Sequence, residues 1–504
     1  MTGGLMVCGT ASNAGKSTVV TGLCRLLARQ GVAVAPFKAQ NMALNSFVTP
    51  SGHEIGRAQG IQALAARATP EVAMNPILLK PTGERTSQVV VLGRPWAHLD
   101  AAAYHQAKPR LRGLVLDALA DLRRRYDVVI CEGAGSPAEI NLLDHDLVNL
   151  AVARAAGFPA VVVGDIDRGG VFAALYGTVA LLPDDLRPLV QGFVINKLRG
   201  DPHLLGGGPA ELERRCGVPT VGVLPYLHDV ALDAEDSLAL DGYRPRPLPG
   251  DQTAAAAACD DRDPLDVAAI RLPRLANFTD FDALAIEPGV TVRLVDTRGA
   301  LGDPDLVILP GTKATVADLE WLRGRGFPDA IAEARRQRHT TVLGICGGYQ
   351  MLGRMIDDPI ESGRRERVPG LGWLPVDTVF EATKVTRQRR GHAQGTRVSG
   401  YQIHHGRTHP AGPAPAPPWL TLDDAYGSAG DGTDLGDLKG TTLHGLFEED
   451  GFRNAFLAEI GARRGKQWAP SGVSFAAARE SQIDRLADLL EAHLDLTAVE
   501  AMLQ

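Results

Sequence analysis

Residues 5–31 read LMVCGTASNAGKSTVVTGLCRLLARQG. The apolar run Leu5 to Cys8 has the character of a buried strand, and VVTGLCRLLARQG that of an amphipathic helix. Between them lies a loop ending in Gly15-Lys16-Ser17. Strand, glycine loop and helix in that order are the setting of a phosphate-binding loop. Loop N–H groups and the helix N-terminus would face the phosphates. Lys16 would neutralise their charge, and the Ser17 hydroxyl would ligate Mg²⁺. The spacing is irregular. The position expected for the first glycine holds Thr10, and Gly9 lies one residue earlier.

Working outward, short β-rich runs alternate with helical ones. VAVAPFK, YDVVICEGAG, FPAVVVGDI, LVQGFVINK and TVGVLPY follow the first strand. Continuous apolar runs of this kind suit a parallel sheet covered on both faces. Residues 241–264, DGYRPRPLPGDQTAAAAACDDRDP, lack an apolar period and read as a linker. The alternation then returns in DVAAIRLPR, VTVRLVD, DLVILPG and TTVLGICGG. The expected fold class is therefore α/β, with two open, mostly parallel-sheet domains. One spans residues 1–240 and the other 265–460, with a helical segment over 461–504. A proline- and glycine-rich stretch near 407–437 reads as a surface insertion. Ligands of such sheets sit at the C-terminal strand ends.

The chain has 504 residues, more than one ordinary core holds. Its 52 Lys+Arg stand against 59 Asp+Glu, and that negative balance argues against a nucleic-acid partner. No apolar run reaches the roughly 20 residues that span a bilayer, and the N-terminus lacks signal-peptide features. Cysteines 8, 24, 131, 216, 259 and 346 are too dispersed for a disulfide framework, which suits a reduced cytoplasm.

Candidate residues cluster at strand ends. Glu132, in YDVVICEGAG, is placed to be the second metal anchor. Lys38, in PFKAQNM, is within reach of the same phosphates, and Asn196, in GFVINKL, would read a purine edge. Asp165, Asp167 and Arg168, or Glu139, Asp144 and Asp146, could hold an acceptor; an exposed carboxylate is more often only solvated. In the second half, Cys346 lies between the run TTVLGI and the helical GYQMLG. Glycines on both sides permit a sharp strand-to-helix elbow, which exposes and activates a thiol. The Gly347 N–H and Gly311, in LPGTKAT, would form an oxyanion hole. His444, in GTTLHGLFEED, is the candidate base. A buried structural cysteine and a satisfied loop histidine are the plain alternatives.

GICGGYQMLG and LHGLFE resemble the class I glutamine amidotransferases of the cobyrinate-amidating branch. The N-terminal half is similar to the dethiobiotin-synthetase-like ATPases. PFKAQNMALNS, EIGRAQ, MNPILLKPTGERTSQVVVLG, CEGAGSPAEINL, NKLRGD, LANFTDFDAL and ILPGTKATVADLEWL extend the likeness to the cobyric acid synthase family. The resemblance implies L-glutamine, ATP with Mg²⁺ and a corrinoid acid as reactants, with neither nucleic acid nor membrane as partner. The implied reaction is amidation of the b, d, e and g carboxylates of adenosylcobyrinic acid a,c-diamide to give adenosylcobyric acid, in cobalamin biosynthesis. Asn13, Gly15, Lys16, Ser17, Thr18, Lys38 and Asn196 would bind ATP. The family-like INLLDHDLVN assigns Asp146 to the acceptor or ammonia, with a helix N-cap as its alternative role. Many class I enzymes carry a glutamate two residues after the histidine; here Leu446 stands there, leaving Glu448 or Gln402 as candidate orienters. Two other readings remain. One is a cobyrinic acid a,c-diamide synthase, and the other a nucleotide-binding regulator with an inactive amidotransferase domain.

Overall fold

The computed structural model describes residues 3–83, 85–227, 264–412, 416–424 and 427–504. The linker read at 241–264 lies outside the described residues except at its last position. The six runs read as strands in the first half form one all-parallel sheet. Its spatial order is Thr220–Pro225, Val190–Leu198, Ala160–Asp165, Gly3–Gly9, Val128–Glu132 and Val34–Phe37. Both faces are covered, so alternate residues of one strand enter different cores. Met6 and Cys8 join one cluster, and Leu5 and Val7 the other. That explains why the strand is apolar at every position rather than every second one.

The second half repeats the plan. Val290–Val295, Leu265–Ile270, Leu306–Leu309, Thr341–Ile345 and Leu438–Thr441 lie side by side in parallel, and Thr433–Asp434 adds an antiparallel edge. Strand Leu438–Thr441 had no clear sequence signal. Nor had the long antiparallel hairpin Val376–Ala393 and Thr396–Pro410, whose segment RQRRGH is too polar to suggest a strand. The stretch read as a surface insertion holds the end of this hairpin and a further antiparallel pair, Leu420–Asp424 with Gly427–Asp431.

The C-terminal helices Phe475–His493 and Leu496–Met502 leave the second half and cover one face of the first sheet. Ile483, Leu490, Val499 and Leu503 join Leu5, Val7 and Val20 in a single core. Helix Lys16–Arg29 can approach so closely because of Gly22; a Cβ there would lie 2.5 Å from Leu490 Cδ1. The chain therefore crosses between its halves twice.

A small hairpin, Ser46–Val48 with Glu54–Gly56, projects from the first half onto the long hairpin of the second. Val48, Tyr401 and Ile403 form an apolar contact there. Val48 O accepts a hydrogen bond from Gln388 Nε2 at 2.9 Å. Glu54, fully buried, receives Lys80 of its own half at 2.6 Å and Lys384 of the other. These ammonium groups hold the Glu54 carboxyl far below its ordinary range despite burial, which alone would raise it. Helix Arg57–Ala65 begins directly after this hairpin.

Truncation at the C-terminal helix tests the first-half core. Leu490 is fully buried, so Leu490→Ala should cost about 2–5 kcal/mol. A urea midpoint measured by a probe on the first half should fall accordingly.

Candidate active site

Cys346 ends the strand Thr341–Ile345 and precedes the helix Gly347–Leu352. Its backbone has φ 51° and ψ −106°, a conformation unfavourable for a residue with a Cβ. Gly348 makes the bend possible, since a Cβ there would lie 1.8 Å from Leu309 O. Cys346 shares a small cavity with His444, and the two side chains interact directly. On its other side the imidazole Nδ1–H donates to Asp280 Oδ2 at 2.7 Å. The second oxygen of Asp280 accepts Gly445 N–H, also at 2.7 Å. Burial opposes charge on His444, but Asp280 and then ionised Cys346 outweigh it, so a proton passed from Cys346 is held on the ring. Thiol, imidazole and carboxylate thus form a nucleophile–base–orienter set. Gly311 stands against the ring, where a Cβ would lie 2.7 Å from His444 Cε1. Gly347 faces Thr312, the next residue, with its Cβ position 3.0 Å from Thr312 N. Gly347 directly follows Cys346, and Gly311 adjoins its partner His444.

At the other sheet, the loop over residues 9–15 joins strand Gly3–Gly9 to helix Lys16–Arg29. Asn13 has φ 62° and Gly15 φ 105°. A Cβ at Gly15 would lie 2.0 Å from Asn196 Nδ2, so only glycine fits. Lys16 Nζ donates to Ala11 O at 2.9 Å and Gly135 O at 3.1 Å, across the loop mouth. Ser17 Oγ donates to Glu132 Oε1 at 2.9 Å. Lys38 Nζ reaches the same oxygen at 2.8 Å, and Gln62 Nε2 donates to Oε2 at 2.5 Å. Thr18 lies in the first turn of the helix. Lys16, Ser17, Lys38 and Glu132 therefore converge at one strand-end cluster, although they come from three separate strand–loop segments.

The comparisons with known proteins match two parts of the chain. Residues 5–239 match the CobQ/CobB/MinD/ParA nucleotide binding domain. Residues 266–452 match the CobB/CobQ-like glutamine amidotransferase domain. Cobyric acid synthase of Streptomyces coelicolor is 52% identical over 507 residues, covering 100% of this chain and 97% of that protein. The Rhodococcus jostii cobyric acid synthase is 54% identical over 508 residues, covering 99% and 95%. The chain belongs to the cobyric acid synthase family. It carries a nucleotide-binding unit and a glutamine amidotransferase unit, as the sequence motifs imply.

Several residues have other duties in this family member than the sequence suggested. Glu448 does not orient the histidine. It is clamped between Arg57 at 3.0 Å and Arg479 at 2.7 Å. Those two guanidinium groups hold its carboxyl down at about 2 against the effect of burial. Gln402 instead donates to Thr442 Oγ1 at 2.7 Å and to Asp431 Oδ1 at 3.2 Å. The orienter is Asp280, which lies in LANFTDFDAL and had no role assigned from sequence. Asn196 is engaged with the loop: Nδ2 donates to Ala14 O at 2.9 Å and Oδ1 accepts Lys197 N–H at 2.8 Å. It braces the phosphate loop rather than offering a free edge to a purine.

Asp146 has the hydrogen bonds of a cap. Its Oδ1 accepts Val148 N–H and Asn149 N–H at 2.8 and 2.9 Å, and Oδ2 accepts Ala151 N–H at 3.0 Å. Val148 and Asn149 precede the helix Leu150–Ala156, and Ala151 is its second residue. Asp165 is paired with Lys197 and Asp167 with Arg199, while Arg168 stays mostly exposed. Glu139 and Asp144 are exposed.

If Asp280 selects the His444 tautomer, Asp280→Asn should keep the fold and disable the base. Glutamine hydrolysis should fall by about 10²–10⁴-fold, as when an orienting carboxylate is neutralised elsewhere. Steady-state glutamate release measures this.

Proposed function

We propose that this chain amidates the b, d, e and g carboxylates of adenosylcobyrinic acid a,c-diamide to give adenosylcobyric acid, with glutamine as nitrogen donor and ATP as activator. The observation that carries the reading is that one chain holds both a phosphate loop with its strand-end carboxylate and a Cys–His–Asp set. The identity of about half the residues with cobyric acid synthases sets the substrate. Residues 1–240 serve as the amidoligase unit and 265–460 as the glutaminase. The segment 461–504 contributes helices that complete the first unit.

A carboxylate resists attack by ammonia because of its charge and resonance. Transfer of the γ-phosphoryl group to one carboxylate oxygen gives an acyl phosphate with a good leaving group. Loop N–H groups, Lys16 and Lys38 offset the charge that develops on the phosphates. The oxygen donors Ser17, half-buried, and Glu132, buried, lie side by side at the loop and suit a hard divalent cation. They would hold Mg²⁺, which supplies further charge neutralisation when bound. Ammonia then attacks the acyl carbon and phosphate departs.

In the other half, the Cys346 thiol gives its proton to His444 and the sulfur attacks the glutamine side-chain amide. The Gly347 and Gly311 N–H groups would stabilise the oxyanion. His444 passes the proton to the leaving nitrogen, so ammonia departs from a thioester. Water, deprotonated by His444, then releases glutamate. Lys80, from the first half, lines the same cavity as Cys346. The glutaminase cavity thus has a wall supplied by the ammonia-using half, which supports direct passage of ammonia between the units. Asp146, which the resemblance assigns to the acceptor or to ammonia, would take that role beside its backbone hydrogen bonds. The free thiols at positions 8, 24, 131, 216 and 346 suit a cytoplasmic enzyme. No helix among the described residues is long and apolar enough to cross a membrane.

Product masses with each purified corrinoid test the substrate. Four amide additions to the a,c-diamide are expected; a product from cobyrinic acid alone would point to the a,c-diamide synthase. Cys346→Ser should abolish glutamine-driven amidation while added ammonia still supports it. Lys16→Ala should lose about 10²-fold or more with either nitrogen source, since it removes one preorganised charge. Ammonia-driven amidation at the parent rate in Lys16→Ala would remove the loop from the mechanism.

A further inference from the structure

Asn277 is buried, and it adopts the left-handed conformation at φ 55° and ψ 41°, directly before the turn Phe278–Phe281 that carries Asp280. Asparagine tolerates this region better than other residues with a Cβ. Its Oδ1 accepts the backbone N–H of Ser46, in the first half of the chain, at 2.9 Å. A backbone N–H can only donate, so the amide oxygen must face Ser46 and the Nδ2 amine must face away. That amine lies 3.3 Å from His444 Nε2. The opposite ring nitrogen already gives its proton to Asp280. An amine can donate to Nε2 only while that nitrogen is unprotonated. Asn277 therefore favours the neutral ring, with Nε2 as acceptor, and opposes the imidazolium that Asp280 and Cys346 favour.

We infer that Asn277 is the positioning residue that keeps His444 Nε2 able to accept the Cys346 proton, with its amide orientation dictated by Ser46 of the amidoligase half. A reciprocal bond strengthens the clamp: Asn45 Oδ1 accepts the Phe278 N–H at 3.2 Å. The base of one active site is thus tuned through a contact made by the other half of the chain. The inference rests on the glutaminase reading of Cys346 and His444.

Other groups facing the ring are Asp280, Cys346 and His404, with the Tyr401 ring stacked at 5.4 Å. Across the cavity stand Lys80, Lys313, Lys384, Glu361 and His405. The test leaves all of these unchanged except Cys346, which is replaced so that its own titration does not couple to the ring. In the full-length Cys346→Ala chain with carbon-13-labelled histidine, His444 is identified by the resonance lost in His444→Gln. Its titration is then compared with and without Asn277→Gly. Glycine accepts φ 55° without strain, so the fold should survive. Loss of one hydrogen bond to the neutral ring should raise the His444 pKa by about one unit. Asn277→Asp, which places an acceptor at Nε2, should raise it further. Asn45→Ala should shift it the same way by less. A His444 titration unchanged or lowered in Asn277→Gly overturns the inference. The titration needs no turnover, so its outcome is separate from the ammonia test of Cys346→Ser.

Discussion

The structure depends on the seating of residues 45–65 against the amidotransferase half. Two reciprocal amide clamps, Asn45 with Phe278 and Asn277 with Ser46, hold the entry of this segment. Glu54 then closes a buried contact with Lys80 and Lys384. Asn45 O also accepts the N–H of Arg57, the first residue of helix Arg57–Ala65. One turn and a half further along, Gln62 of that helix donates to Glu132 at the phosphate loop. A single short segment thus touches the immediate surroundings of both reacting centres. Neither site can be assembled without fixing where the other half sits.

The charge in this seam explains why it is specific rather than merely adhesive. Burying Glu54 carries a desolvation cost, which the attraction of two ammonium groups offsets at the carboxylate. Lys384 shows the cost: burial, with Lys80 and Lys313 nearby, brings its ammonium down to about 8 although Glu54 pulls the other way. An apolar contact of equal area would tolerate sliding. Here a shift of either half would leave a buried charge unpaired, at several kcal/mol. The Arg57–Glu448–Arg479 clamp applies the same constraint outside the cavity. It joins the hairpin-helix segment, the turn after His444 and the C-terminal helix, so three parts of the chain share one carboxylate.

What the sequence disclosed follows the range of the interactions. Every strand of the first sheet was legible, because each carries an apolar run and most positions are buried on both faces. Lys16, Ser17 and Cys346 were legible because loop, helix and elbow geometry are set by residues within about ten positions. Gly15 and Gly348 mark close backbone approaches that no other residue permits. The long hairpin escaped notice because polar side chains fill inward as well as outward positions, with Arg389 and His405 buried, so its alternating burial is not matched by apolar alternation.

Asp280 shows the other limit. It lies 164 residues before His444, and nothing in its neighbours distinguishes it from a solvated carboxylate. Glu448 looked better because it is four residues away from the histidine. Local spacing misled there, since the turn Leu446–Glu448 points that carboxylate at two guanidinium groups instead. Asn196 and Asp146 show a related limit. A polar residue at a strand end or loop is as useful to the backbone as to a ligand, and both had backbone N–H or carbonyl groups to satisfy first. Residues that do chemistry through a local bend can be read from sequence. Those that act by meeting a distant partner require the fold, and in this chain the base owes both its orienter and its counterweight to such meetings.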